Sequence, residues 1–230
     1  MAEFFRESVY LGAFLSLGTY WLGELLRKKW RVAVINPLLI AIVLTIAALS
    51  LLKIPYDTYM EGAKYLQYFL TPCTVCLAVP LYEKFSLLKK NALAIAAGIL
   101  AGTLASLISV LLLCLLFRLD HTMYVTLLPK SVTSAIAMGI SQELGGYTSL
   151  TVVGVLFSGI IGNVFASGAC RLFRITEPIA RGVAIGTSAH AIGTARAMEM
   201  GDTEGAMSSL SIVVAGLLTV VGAALFARLY

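Results

Sequence analysis

Five long runs of this chain contain no Asp, Glu, Lys or Arg, and they constrain its fold more than any other feature. The runs cover residues 32–52, 65–82, 91–117, 144–170 and 205–227. A helix needs about 20 mostly apolar residues to cross a bilayer, so each run is long enough or nearly so. Residues 11–26 form a further candidate span. Charged residues make up 13% of the chain, against about 25% in soluble domains. The pattern predicts an all-α, polytopic membrane protein with seven to eight hydrophobic segments.

These segments leave little chain for a soluble domain. We therefore expect residues 1–230 to form one integral-membrane domain, in which residues 1–60 supply two leading spans and residues 61–230 a core with internal repeats. The first apolar run is long and lacks a clear signal-cleavage site, so we expect it to be a retained span. The basic residues lie in short clusters between the runs, which is typical of cytoplasmic loops. They do not form the basic surface with aromatics that nucleic-acid binding requires.

A weak repeat with a period of 57 residues (129 − 72 and 186 − 129) runs through the core. Each unit opens with a helix-breaking residue, continues with small and hydroxyl residues, and ends in a long apolar run. The breakers are Pro72, Pro129 and Gly186, and the runs carry Gly102, Gly159 and Gly216. Broken backbone at membrane depth must lie inside protein or line a wet cavity, and corresponding broken segments indicate a transporter's binding site. The repeat predicts discontinuous helices that converge on a site.

The basic clusters leave the topology open between two arrangements. If residues 27–31, 84–90 and 171–181 are all cytoplasmic, residues 122–144 must enter and leave on the same face. A second re-entrant segment at 178–200 would then make the last two repeats inverted. If both segments cross fully, the repeat is not inverted and the cluster at 171–181 violates the positive-inside rule. We favour the re-entrant arrangement.

Lys130 is the strongest candidate site residue. It follows Pro129 within the otherwise uncharged stretch 124–140, and an ionisable side chain at membrane depth is a functional candidate by default. Its ammonium would attract and hydrogen-bond a small carboxylate in a pocket of low dielectric. The free N–H groups of a half-helix that starts after Pro129 would add to this attraction. The alternative is that Lys130 extends to the membrane interface.

Other polar residues near the three breaks complete the predicted substrate site. His190 would carry a proton or bond the carboxylate, with packing an equal alternative. Arg196 would bind the carboxylate with two hydrogen bonds, or end its segment at the headgroups. Asn163 would face the site or, as we favour, bond a neighbouring helix. The hydroxyl candidates are Thr71, Thr74, Ser131, Thr133, Ser134, Thr187, Ser188 and Thr194.

The sequence carries no pattern of an enzyme. It lacks the GxSxG, HExxH and Walker motifs, so we expect no catalytic residue and no cofactor. Cys73-x-x-Cys76 has no second cysteine pair or histidine cluster nearby, so we expect no metal site.

Two long motifs resemble the LrgB/CidB family of bacterial inner-membrane proteins. They are LPKSVTSAIAMGISQELGG at 128–146 and PIARGVAIGTSAHAIGTARAMEMGDTEGAMSSLS at 178–211, and TPCTVCLAVPLYEK at 71–84 fits the same pattern. The chain departs from the family where Ser134-Ala135 replaces a common Thr-Pro, and where Ala191 replaces a common Gly. Because the first departure removes a proline, we expect a break at Pro129 in that segment and no second break after Ser134.

The resemblance implies two functions. In one, the protein is a secondary transporter of small carboxylates such as pyruvate or glycolate, similar to the plastidial glycolate/glycerate translocator. Proton coupling and an LrgA/CidA-like membrane partner would accompany this function. In the other, it is an antiholin-type regulator of murein hydrolase export and autolysis, with no substrate of its own. The expected location is the bacterial inner membrane, and the oligomeric state stays open, including a homo-oligomer.

Overall fold

The computed structural model describes residues 10–30, 36–76 and 78–230. Every regular element in these ranges is a helix, which confirms the all-α prediction. Internal contacts divide the chain into two compact units, Met1–Cys76 and Leu77–Tyr230. Each unit is described by itself.

The first unit contains four described helices. They are α1 (Leu11–Trp30), α2 (Pro37–Leu51), α3 (Tyr56–Gln67) and α4 (Leu70–Cys76). The start of α2 follows the sequence, since Pro37 is its first residue and the Asn36 side chain accepts a hydrogen bond of 2.8 Å from the Leu38 backbone N–H. A short interruption separates α3 from α4, and Pro72 lies in the first turn of α4. Proline is tolerated there because first-turn N–H groups have no helical partner.

Among the described residues, three helices are long and apolar enough to cross a membrane, and all three lie in the second unit. They are α7 (Ala92–Phe117), α10 (Thr148–Leu172) and α12 (Asp202–Phe226), the last of which continues into a 3₁₀ turn at Ala227–Leu229. These are the apolar runs that the repeat predicted after each break. The shorter elements are α5 (Ala78–Glu83), α6 (Phe85–Lys90), α8 (His121–Leu127) and α9 (Ser134–Glu143), and α11 spans Pro178–Met200.

The predicted interruption at Pro129 is present. Helix α8 ends at Leu127 and α9 begins at Ser134, with turns between them. The Lys130 backbone N–H donates to the Leu127 carbonyl at 3.1 Å. Helices α8 and α9 have 7 and 10 residues, so each is about 10–15 Å long at 1.5 Å per residue, or up to half the thickness of a bilayer core.

The prediction that Gly186 interrupts its helix is wrong. Helix α11 passes through Gly186, and the non-helical residue is His190, with φ 41° and ψ −141°. A Cβ atom on Gly186 would lie 2.4 Å from the Ser208 carbonyl oxygen, and one on Gly182 would lie 2.5 Å from that of Glu204. The missing side chains let the backbones of α11 and α12 approach closely, as small residues do in membrane helix pairs.

Candidate functional site

Lys130 lies at the start of a short chain of hydroxyl groups. Its Nζ donates to Ser131 Oγ at 3.2 Å, and Ser131 Oγ shares a hydrogen bond of 2.7 Å with Ser106 Oγ on α7. Lys130 is half-buried, and within the described ranges no acidic side chain pairs with it. The ammonium therefore meets neutral groups only, which leaves its charge uncompensated.

Thr103 adds an unused hydroxyl on the same helix. It lies three residues before Ser106, so the two side chains emerge on the same side of α7. Thr103 is 4% exposed, and its Oγ1 is the one buried side-chain polar atom in the described part of the chain that has no hydrogen-bond partner. Buried polar atoms in proteins are nearly always bonded, so an unpartnered one needs a water, an ion or a ligand.

Thr187 of α11 reaches α7 within one turn of this cluster. A Cβ atom on Gly102 would lie 2.8 Å from Thr187 Oγ1, so the hydroxyl fills the space that Gly102 leaves. The Thr187 hydroxyl donates to the Val183 carbonyl at 2.8 Å and keeps acceptor capacity. Ser106 lies four residues beyond Gly102, about 6 Å along the helix axis. Helix α7 thus brings α11 close to the segment that carries Lys130.

His190 packs against α10 at the second break. Its Nε2 lies 3.1 Å from the Val155 carbonyl oxygen, and a Cβ atom on Gly159 would lie 2.8 Å from its Cε1. His190 as a residue is 3% exposed. Because the carbonyl can only accept, this contact places a proton on Nε2.

Two side chains bond backbone carbonyls at and just after the break at His190. Thr194 Oγ1 donates to the His190 carbonyl at 3.0 Å, and Asn163 Nδ2 donates to the Ile192 carbonyl at 2.7 Å. Asn163 therefore bonds a neighbouring helix, as we favoured. Thr194 Oγ1 also shares a 2.7 Å bond with Ser208 Oγ of α12. The bonds from Asn163 and to Ser208 join α11 to both α10 and α12.

The two breaks meet at Val155 of α10. The Val155 side chain belongs to one buried cluster with Val132 and Ala137, and its carbonyl contacts His190. Val132 follows Lys130 by two residues. The breaks at Pro129 and His190 therefore both lie beside Val155, whereas the predicted convergence named Gly186, which does not interrupt its helix.

Arg196, on α11, contacts a different part of α10 from His190. Its guanidinium donates to Ser167 Oγ at 3.0 and 3.2 Å and forms an ion pair with Glu199. Ser167 is twelve residues beyond Val155 (167 − 155), about 18 Å along the axis. Arg196 is thus paired and separated from the Lys130 break.

The remaining predicted residues are scattered. Thr133 directly precedes α9, and Ser134 is its first residue. Ser188 is exposed, and its hydroxyl donates to the Ala184 carbonyl at 2.7 Å. The side chains of Thr71 and Thr74 lie outside the described residues. The roles of all these residues in substrate binding stay predictions.

A buried hydroxyl network joins the first break to α10 and was not expected from the sequence. Thr151 Oγ1 donates to Ser141 Oγ at 2.7 Å and lies 2.9 Å from the Thr126 carbonyl. The Tyr147 backbone N–H donates to Thr126 Oγ1 at 2.8 Å. The spacing of these residues follows no helical period, so the sequence held no signal for their contact.

Comparison with known proteins identifies the family of this chain. The profile of the LrgB-like family matches residues 16–229. The chain belongs to the LrgB-like family. The "Antiholin-like protein LrgB" of Bacillus subtilis (strain 168) is 38% identical over 225 residues, which cover 96% of either chain. No solved structure matches this LrgB-like chain. Its family and its long apolar helices make it a membrane protein.

Proposed function

We propose that this LrgB-like protein is a secondary transporter of small organic carboxylates in the bacterial inner membrane. The observation that carries the proposal is Lys130, a half-buried cation at a helix break with no acidic partner among the described residues. A pyruvate- or glycolate-like anion would compensate this charge through a charge-assisted hydrogen bond. The proposed role is non-enzymatic, because the anion crosses unchanged.

Hydroxyl groups around Lys130 would orient the anion. The Lys130 ammonium bonds the Ser131 hydroxyl, which in turn bonds that of Ser106. The Thr103 hydroxyl has no described partner. Thr187 of α11 contacts α7 at Gly102, one turn from Ser106, and can accept a hydrogen bond from a hydroxyl such as that of glycolate. A small acid with one carboxylate and one further oxygen matches this set of donors and acceptors.

Proton coupling would use His190. With its Nε2 proton bonded to the Val155 carbonyl, the other ring nitrogen presents a lone pair that can take up a proton. The ring lies where the two breaks meet, so a proton on His190 and an anion at Lys130 would occupy neighbouring positions. Helices α8 and α9 would form the re-entrant segment that delivers Lys130 to membrane depth.

Uptake by reconstituted protein tests the proposal. Liposomes that contain the protein, alone or with an LrgA-like partner, would be loaded with buffer, given an inward proton gradient and supplied with radiolabelled pyruvate or glycolate. We expect gradient-dependent uptake that Lys130→Ala lowers at least about tenfold, the value of one charge-assisted hydrogen bond. Lys90→Ala, which removes an exposed lysine at the end of α6, is the matched control. Unchanged uptake by Lys130→Ala would remove the central residue of the scheme.

An antiholin-type regulator is the second candidate function. The name of the Bacillus subtilis relative supports it, as does the pairing of Arg196 with Glu199, which removes one predicted substrate ligand. A regulator would give no uptake with or without the partner. It would instead change the rate of autolysis when the gene is deleted, and Lys130→Ala would restore that rate as well as the wild type does.

A further inference from the structure

Three arginines line one cavity where α10 ends and α11 begins. The cavity has a volume of about 450 Å³ and is open to the surface. Its polar lining consists of Arg171, Arg174, Arg181, Ser167 and Thr176. A volume of this size is within the range of small-ligand sites, about 300–1,000 Å³.

Two of the three guanidinium groups have no described partner. Arg171 and Arg174 are exposed, and no acidic side chain in the described ranges pairs with either. Arg181 is oriented instead: its Nε donates to the Ile175 carbonyl at 2.8 Å, and its Nη1 lies 3.7 Å from Glu204 Oε1. Three arginines line the cavity with Glu204 beside Arg181, and the Arg196–Glu199 ion pair adjoins it at Ser167. Arginines outnumber carboxylates around the cavity, so it attracts anions.

The backbone at Arg174 ends α10 and fixes where this arginine lies. Its φ is 54°, in the left-handed region. The Ile175 N–H bonds the Cys170 carbonyl at 2.8 Å and closes the end of α10. Helix ends of this kind strongly favour glycine, because a side chain there is strained. Lys53 and Arg118 end other helices with nearly the same φ, so this conformation is a helix cap, and it places Arg174 at the edge of the cavity.

We infer that this cavity binds a phosphate group, carried by an anionic phospholipid headgroup or by a free phosphate. Guanidinium groups match phosphate oxygens with paired hydrogen bonds. Three arginines that approach from two helices and their connection suit a tetrahedral group better than a planar carboxylate. Basic pockets between membrane helices bind anionic headgroups. The inference is independent of the carboxylate site, which lies at Lys130.

Thermal unfolding of the purified full chain in neutral detergent tests the inference. The probes are short-chain phosphatidylglycerol, short-chain phosphatidylcholine, inorganic phosphate and pyruvate, each titrated separately. A ligand that binds only the folded protein raises its Tm. We expect phosphatidylglycerol to raise Tm more than phosphatidylcholine does. An equal response to inorganic phosphate would support the phosphate site and assign it to a soluble source. Equal shifts from both lipids, or a shift from pyruvate that matches that from phosphate, would overturn the inference.

Variants separate the cavity from general charge effects. Arg174→Gly removes one guanidinium at a position that suits glycine, so the protein should fold at least as well. Arg118→Gly is the matched control, because Arg118 has φ 52° at the end of α7 and does not line the cavity. We expect the double variant Arg171→Gln/Arg174→Gly to have an apparent Kd for the phosphate probe at least about tenfold higher than the wild type. Arg118→Gly should leave this Kd unchanged. Equal affinities of the wild type, the double variant and Arg118→Gly for phosphate would refute the site. Equal losses of affinity in the double variant and in Arg118→Gly would also refute it.

Discussion

Substitution of Gly186 by alanine is expected to destabilise the protein, and the size of the effect follows from the contact between α11 and α12. The new Cβ would lie 2.4 Å from the Ser208 carbonyl oxygen and 2.8 Å from Ser211 Cβ. Non-bonded carbon contacts are normally about 3.5–4.0 Å. The helices must therefore separate by about 1 Å at this point.

Such a displacement would also stretch the bond between Thr194 and Ser208. The two hydroxyl oxygens lie 2.7 Å apart, so a further 1 Å takes them beyond hydrogen-bonding distance. Forced overpacking in a dense interior costs about 1–3 kcal/mol. In a chain of this length, 1 kcal/mol corresponds to about 2–4 °C in Tm. We expect Gly186→Ala to lower Tm by about 2–12 °C.

The matched control is Gly139→Ala on α9, because nothing lies within 4 Å of a Cβ atom built there. Alanine favours a helix over glycine by about 0.5–1 kcal/mol, so this variant should be slightly more stable than the wild type. Both are measured by thermal unfolding in the same detergent, followed by circular dichroism. If Gly186 were a helix break, as its place in the repeat suggested, alanine would lengthen the helix without a clash. A Gly186→Ala protein as stable as the wild type would refute the packing argument.

Two further predictions concern the side chains that bond the His190 and Ile192 carbonyls. Asn163→Leu should lower the free energy of unfolding by about 1–3 kcal/mol, because it leaves the Ile192 carbonyl without its 2.7 Å donor; an unchanged Tm would contradict this. Thr194→Val should cost a similar amount, since it removes the hydroxyl that bonds His190 and Ser208, whereas Thr194→Ser keeps the hydroxyl and should cost less. Equal Tm values for the valine and serine variants would show that the hydroxyl contributes nothing.

The sequence predicted most of what the bilayer dictates. Charge-free runs mark spans because a buried charge is costly, and the three long runs of the repeat became α7, α10 and α12. Pro129 marks an interruption because proline lacks an N–H and clashes with the preceding turn. These are local properties of the chain, so no knowledge of its partners was needed.

The errors arise where one residue type serves two purposes. Glycine either frees the backbone or permits close packing, and at Gly186 only the proximity of Ser208 decides between them. The break at His190 carries no breaker residue. The contacts beside it, from His190 to the Val155 carbonyl and from Asn163 to the Ile192 carbonyl, are tertiary contacts that a single sequence does not reveal.

The two breaks differ in what they leave unsatisfied, and this difference locates the proposed site. At His190, the ring bonds the Val155 carbonyl, and Thr194 and Asn163 bond the His190 and Ile192 carbonyls, so these side chains have partners without a ligand. Near Pro129, Thr103 Oγ1 has no partner and Lys130 contacts a neutral hydroxyl. A folded interior retains unpaired polar groups only at a cost. The unused capacity therefore favours an anion beside Lys130, with His190 at the margin of the site rather than at its centre.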